Sequence, residues 1–159
     1  MNLYEEFFAI ARALNESGAR YAVVGGLAMA FHGKPRFTRD IDILLAAEDI
    51  GIARTVFDRL GYCENPMPLT FRATNLTLHR FARLAAEGAL TVDVLLANSA
   101  EHEEVIANAI SAKSREDVVR VATKQDIIWM KRSRNSDQDK VDIRELQNDK
   151  DREGRKNRQ

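Results

Sequence analysis

Three aspartates set in apolar, strand-like segments are the residues best placed to do chemistry. Asp40 and Asp42 open the run Asp40-Ile-Asp-Ile-Leu-Leu45. Residues two apart on a strand share a face, so both carboxylates project together while Ile41 and Ile43 pack on the other side. Two carboxylates side by side on a half-buried sheet repel each other and resist desolvation. A cation between them relieves both penalties. Magnesium suits such a pair, because it takes oxygen ligands and keeps water and substrate phosphates as the remainder. Asp93 lies in a similar run, Thr91-Val-Asp-Val-Leu-Leu96, where an unpaired acid is expensive unless something cationic meets it. If the two strands are neighbours, three carboxylates cluster. The competing reading is that these acids end their strands or pair with Arg36, Arg39 or Arg20.

Upstream, Tyr21-Ala-Val-Val-Gly-Gly26 reads as a strand broken by paired glycines and followed by a short helix. Glycines there permit positive φ and let a phosphate approach the backbone, and a helix start offers unpaired N–H groups. A tight turn alone also explains the pair. Its interest is its position just ahead of Asp40 and Asp42, from which the chain can return along a neighbouring strand.

These residues need a scaffold, and the periodicity supplies one. Leu3, Phe7, Ile10 and Leu14 recur at helical spacing over 2–17, with Gly18 as a stop. Strands are expected at 20–24, 40–45 and 91–96, with weaker signals at 75–83 and 118–121. Helices are expected at 27–32, 47–60, 100–110, 124–132 and 137–147, the one over 124–132 opened by the capping pattern Thr123-Lys-Gln-Asp126. Pro35 bars a helix from the loop at 34–39, the stretch at 65–68 reads as a loop, and Gly88 marks a turn. Strands interleaved with helices give an α+β class: a single domain over 1–148, a mixed β-sheet covered by helices. Residues 149–159 carry no apolar side chain and read as a charged, disordered tail.

Composition narrows the remainder. The length fits one compact domain. No apolar run is long enough to span a bilayer, and the N-terminal stretch carries Glu5, Glu6 and Arg12 where a signal peptide needs a clean apolar core. Cys63 is the sole cysteine, which excludes an internal disulfide and a CxxC metal site. The expectation is a cytoplasmic protein with no membrane role. The net charge is zero, but residues 113–159 hold 14 Lys and Arg against 10 Asp and Glu. That basic end is either a solvated face or a partner for phosphates held by the acidic remainder. His32, His79 and His102 share no metal-ligand spacing and read as structural or surface residues. Trp129 and the pair Phe7-Phe8 read as core.

Taken together, Val24-Gly25-Gly26, then Arg36-Phe-Thr-Arg-Asp-Ile-Asp42, then an acid in a later apolar strand, resemble the DNA polymerase beta-type nucleotidyltransferase superfamily. Gly-Gly-Leu-Ala, His32-Gly33 and Arg-x-Thr-x-Asp-Ile-Asp look like its AbiEii-type, minimal nucleotidyltransferase group, many of whose members are toxins of toxin–antitoxin pairs. Ile128-Trp-Met-Lys131 followed by Asp139-Lys-Val-Asp142 is similar to that group's Lys motif and following Asp motif. The resemblance spans about residues 20–147. It implies transfer of a nucleoside monophosphate from an NTP to a hydroxyl acceptor, with two Mg2+ ions. Asp40 and Asp42 would bind both ions; Asp93 would share one and help deprotonate the acceptor. Gly25, Gly26, Arg36, Thr38 and Lys131 would hold the nucleotide, with Asp139 positioning Lys131 or acting near the acceptor. The resemblance departs at Gly26, where many members carry Ser. The acceptor is expected to be an RNA 3′ end or a protein hydroxyl, with an antitoxin as partner. The alternatives are an antibiotic nucleotidyltransferase or a catalytically inactive binding module.

Overall fold

A computed structural model describes residues 2–115 and 117–148, so the charged tail expected at 149–159 lies outside the described residues. The first helix, α1 (Leu3–Glu16), starts where the Asn2 side chain accepts the Tyr4 N–H and buries Phe7, Ile10, Ala11 and Leu14. It ends at Gly18, whose φ of 73° suits the left-handed turn that stops a helix. There follow β1 (Tyr21–Val24), the short α2 (Gly25–Phe31), β2 (Asp40–Ala46), a 3-10 turn (Ala47–Asp49) and α3 (Ile50–Arg59). Two brief strands, β3 (Cys63–Glu64) and β4 (Leu69–Phe71), precede the long β5 (Leu76–Ala85) and β6 (Gly88–Ala97). The chain continues through α4 (Ala100–Asn108), β7 (Ile110–Ser114), β8 (Asp117–Val121), α5 (Lys124–Arg134) and α6 (Asp137–Gln147).

The strands form one mixed sheet in the order β3-β5-β6-β2-β1-β8-β7, with β4 also paired to β5. β2 runs parallel to β6, and β1 parallel to β8; the other pairs are antiparallel. The expected α+β architecture is therefore present. Elements absent from the sequence reading are β3, β4 and β7. They are short and largely exposed, with β4 exposed along its whole length, so none carries the apolar alternation that marks a half-buried strand.

One face of the sheet carries Ile41, Ile43, Val92, Val94 and Phe81, all buried. It is covered by α1 and α3: Phe57 of α3 stacks on Phe81 with ring centroids 4.5 Å apart, and Glu6 of α1 receives Arg83 of β5 at 2.7 Å and the Tyr62 hydroxyl at 3.0 Å. Phe7 belongs to this core, as expected, with Phe8 packed beside it. The opposite face carries the aspartates, and α4 and α5 cover it only in part. Trp129 departs from its expected place in the core: it is partly exposed on α5, its ring 5.1 Å from that of His102.

Candidate active site

The parallel pairing of β2 with β6 brings the three aspartates together. Asp42 and Asp93 are direct cross-strand partners, and Asp40 lies opposite Thr91 one pleat away on the same face. Asp42 is half-buried, and its carboxyl is pushed up to about 6, first by burial and then by the charges of Asp93 and Asp40. Burial and Asp93 also raise Asp40. Among the described residues none donates a hydrogen bond to either carboxylate. Asp93, in contrast, is engaged. Arg80 faces it across β5 and β6, with Nε donating to Oδ1 at 2.7 Å and Nη2 to Oδ2 at 2.9 Å. The arginines weighed as partners for the aspartates go elsewhere. Arg20 pairs with Glu48 and Asp49, Arg36 pairs with Asp142, and the Arg39 guanidinium lies over the Phe37 ring.

Gly25 is the first residue of α2, and its φ of 68° is left-handed. A Cβ built there would lie 2.2 Å from Asp42 Oδ2, so only glycine lets this backbone pass the carboxylate. At Gly26 a Cβ would meet Thr38, with Cβ at 2.8 Å and Oγ1 at 2.9 Å. Thr38 is itself tied down, its hydroxyl donating to the Asp40 carbonyl at 3.1 Å. This close contact accounts for the glycine at position 26: any side chain would have to displace Thr38.

Replacing Gly25 by Ala is expected to lower the melting temperature by about 3–6 °C, from a backbone penalty of about 1–2 kcal/mol in a domain of this size. It should also reduce by about tenfold or more any activity that depends on Asp42, by displacing that carboxylate. Gly18 provides the comparison, since its φ is 73° and nothing lies within 4 Å of a Cβ there. Gly18→Ala should show the stability loss without the activity loss. Equal loss of activity in the two variants would mean that the Asp42 contact is irrelevant.

The third wall comes from the helical hairpin of α5 and α6. Thr123 caps α5, its side chain accepting the Asp126 N–H. Asn135 then turns the chain in the left-handed region, and Ser136 opens α6 with a reciprocal capping box to Asp139. Lys131 is 5% exposed, with Nζ 2.8 Å from Asp142 Oδ2 and 3.7 Å from Asp139 Oδ1. Arg134 clasps Asp139 with two bonds of 2.8 and 2.6 Å. Arg36 reaches Asp142 from the loop before β2, Nη2 donating to Oδ2 at 3.1 Å. The buried Nε of Arg36 lies 3.1 Å from Asp142 Oδ1, an ion-pair contact without hydrogen-bond geometry. Burial alone would raise Asp139 and Asp142. Hydrogen bonds from Arg134 and Ser136 in one case, and from Lys131 and Gln138 in the other, outweigh it and hold both below the usual range.

Between the sheet and this hairpin lies a cleft of about 460 Å3. Its lining takes in Gly25 and mixes polar residues, Asp42, Asp93, Arg80, Arg36, Lys131 and Arg134 among them, with apolar ones, Phe71, Leu76, Leu78, Leu95, Ile127 and Met130. His102 also borders the cleft, and its Nδ1 is bonded to Ser99 Oγ at 2.7 Å. His32 and His79 are held by the Ala122 carbonyl and Glu64. Asp139 is fully buried beneath the cleft wall and does not line it. Of the residues singled out in the sequence, Gly25, Arg36, Asp42, Asp93 and Lys131 therefore meet in one cleft. Gly26, Thr38, Asp40 and Asp139 are not among its lining residues.

Sequence reasoning passed over Arg80 and Arg134, and gave no role to Asp142 although it closes the segment Asp139-Lys-Val-Asp142. Arg80 had a signal. Leu76, Leu78 and Arg80 share one phase of β5, so an arginine stands where the alternation calls for an apolar residue.

As a metal site the donors fit in kind, since Asp40 and Asp42 offer hard oxygens on one face with no cation bonded to them. Among the described residues, however, no group of three or more His, Cys, Asp or Glu side chains is arranged to hold a metal ion. Arg80 occupies both oxygens of Asp93.

No protein-family profile matches the sequence, and no curated protein matches it. Solved structures do match. A Thermotoga maritima protein described as a candidate nucleotidyltransferase superposes with a TM-score of 0.63 at 12% identity, over 92% of each chain. The lincomycin-bound lincosamide antibiotic adenylyltransferase LnuA gives 0.60 at 16% identity, over 90% of this chain and 95% of that one. ANT(2″)-Ia in complex with adenylyl-2″-tobramycin gives 0.51 at 20% identity, over 79% and 71%. The chain has the nucleotidyltransferase fold. Among the described residues no helix is long and apolar enough to cross a membrane.

Proposed function

We propose that the protein is a Mg2+-dependent nucleotidyltransferase that moves a nucleoside monophosphate from an NTP to a hydroxyl acceptor, releasing pyrophosphate. The observation that carries this reading is the in-register pair Asp42 and Asp93 beside Asp40, with Gly25 passing against Asp42. Bound magnesium would neutralise phosphate charge and activate the attacking oxygen. Asp40 and Asp42 are its holders, joined by Asp93. The acceptor hydroxyl attacks the α-phosphorus and its proton passes to Asp93, while the bond from that phosphorus to the pyrophosphate oxygen breaks. Arg36 and Lys131, both ion-paired with Asp142, lend positive charge from the same wall.

The cleft favours a small organic acceptor with an apolar body over an RNA end. Each of its four cationic side chains is already paired with a carboxylate, whereas RNA binding draws on lysines and arginines free to meet phosphates. Half of its lining is apolar. Chain length does not argue against such an acceptor, because LnuA aligns over 95% of its length. Incubation with Mg2+, α-labelled NTPs and a cell extract, fractionated by size, tests this. Label in the small-molecule fraction is expected. Label in RNA or protein would favour the toxin-like reading, and pyrophosphate release from no NTP would leave a binding module.

A further inference from the structure

We propose that Arg80 stands in for the metal: it holds Asp93 in the metal-free protein and must let go before Asp93 could join Asp42 in holding a divalent cation. The inference rests on the metal-dependent reading above. The sheet register carries it. Arg80, Asp93 and Asp42 form one row across β5, β6 and β2 on the same face, so the guanidinium meets the carboxylate group from the side opposite Asp42. Both oxygens of Asp93 are spent on it. A planar fork takes one lone pair of each oxygen and sets a positive charge against the carboxylate, so a second cation at close range meets repulsion.

The exposures of the two partners decide which one moves. The Arg80 side chain is 49% exposed and that of Asp93 12%. Arg80 can swing on its long stem into the cleft, while Asp93 is fixed in the middle of β6. The arginine also bears on Asp40 and Asp42, so one guanidinium answers three carboxylates. A row of uncompensated acids on a half-buried sheet would weaken the fold, and Arg80 offsets that until a metal does so better. It is a positioning residue: its release sets how readily Asp93 is available, both as a ligand and as a proton acceptor.

The test is a Mn2+ titration of the full chain, reading free Mn2+ by its EPR signal, with folding checked by circular dichroism. Arg80→Gln should tighten Mn2+ binding by about tenfold, the factor expected when a charge-assisted competitor is removed. Arg80→Lys loses the fork but keeps the charge, and should tighten it less. Arg39→Gln removes a nearby charge that makes no bond to Asp93 and should change the affinity little. Unchanged or weaker affinity in folded Arg80 variants would overturn the proposal, as would an equal gain in Arg39→Gln, which would make bulk charge the cause. Equal Mn2+ binding by wild type and Asp42→Asn would instead sink the metal reading itself. Should Arg80→Gln fail to fold, Arg80→Lys alone decides between tighter and unchanged.

Discussion

Replacing Asp42 by Asn is expected to abolish nucleotidyl transfer while raising the melting temperature in metal-free buffer. Asp42 sits half-buried beside two other carboxylates with no cation bonded to it, and its carboxyl is pushed up from 3.8 to about 6. The sign follows from linkage. Between those two values the unfolded chain has released a proton that the folded protein still holds, so stability falls as pH rises through that window. The full penalty, about 3 kcal/mol at most, is present above pH 6. Asn never ionises and escapes it. In EDTA at pH 7.5 the variant should melt several degrees higher than wild type, and the gap should close as the pH approaches 4. Magnesium should stabilise the wild type and not the variant. Turnover should fall by about 10³-fold or more, since even one lost hydrogen-bond donor to a developing charge costs about 10²–10³. Thermal melts in EDTA and in Mg2+, with a pyrophosphate-release assay, read all of this. A lower melting point in EDTA would mean that Asp42 is a structural partner and not a metal holder.

Asp139→Ala should do its damage through stability. This carboxylate is fully buried, clasped by Arg134, bonded by the Ser136 backbone N–H at 3.0 Å, and 3.7 Å from Lys131. Alanine leaves Arg134 and Lys131 short of a counter-charge and removes half of the capping box of α6. Breaking a buried ion pair from one side costs about 3–5 kcal/mol, a large share of a total of about 5–15. Because Asp139 is held below the usual carboxylate range, the stability it contributes is present above its unfolded value of 3.8 and is lost as the pH falls through the folded value. The difference from wild type in urea denaturation should therefore be large at pH 7 and shrink below pH 4. Asp142, depressed by Lys131 and Gln138, adds acid sensitivity of the same sign. Below its melting point the alanine variant should keep turnover within about tenfold of wild type, well inside the loss for a group acting on the transition state. Unchanged stability with lost turnover would place Asp139 in the chemistry instead.

The contrast between these two aspartates shows what could be read in the chain. Asp40, Asp42 and Asp93 stand in strands whose type was legible from apolar runs, and the alternation alone put Asp40 and Asp42 on one face. That β2 and β6 are neighbours is a long-range fact that no local pattern contains. Arg80 lay within reach of reasoning: the β5–β6 hairpin turns at residues 86–87, between the paired Ala85 and Gly88, and counting back from there sets Arg80 opposite Asp93. Gly88 marked the turn but not its register, and a slip of one residue moves a side chain to the other face. The basic C-terminal segment read as a phosphate partner for the acidic remainder. Most of its cleft-side charge is spent within that segment instead, Lys131 and Arg134 on Asp142 and Asp139. Arg36, from the acidic part, crosses over to Asp142. Side-chain pairing of this kind depends on how α5 folds back on α6, which charge counts cannot see.

The parallel pairing of β2 with β6 also fixes when this protein becomes competent. As the chain leaves the ribosome, Asp40 and Asp42 emerge well before β6, and β6 before the α5–α6 hairpin. Parallel strands cannot zip from a tight turn; they wait for a crossover to close, and such distant pairing is slow to form. Until β6 docks, Asp42 has neither Asp93 beside it nor a cleft above it, and Arg36 has no Asp142 to meet. The carboxylate cluster and its cleft are therefore complete only once β6 has docked on β2 and α5 is in place.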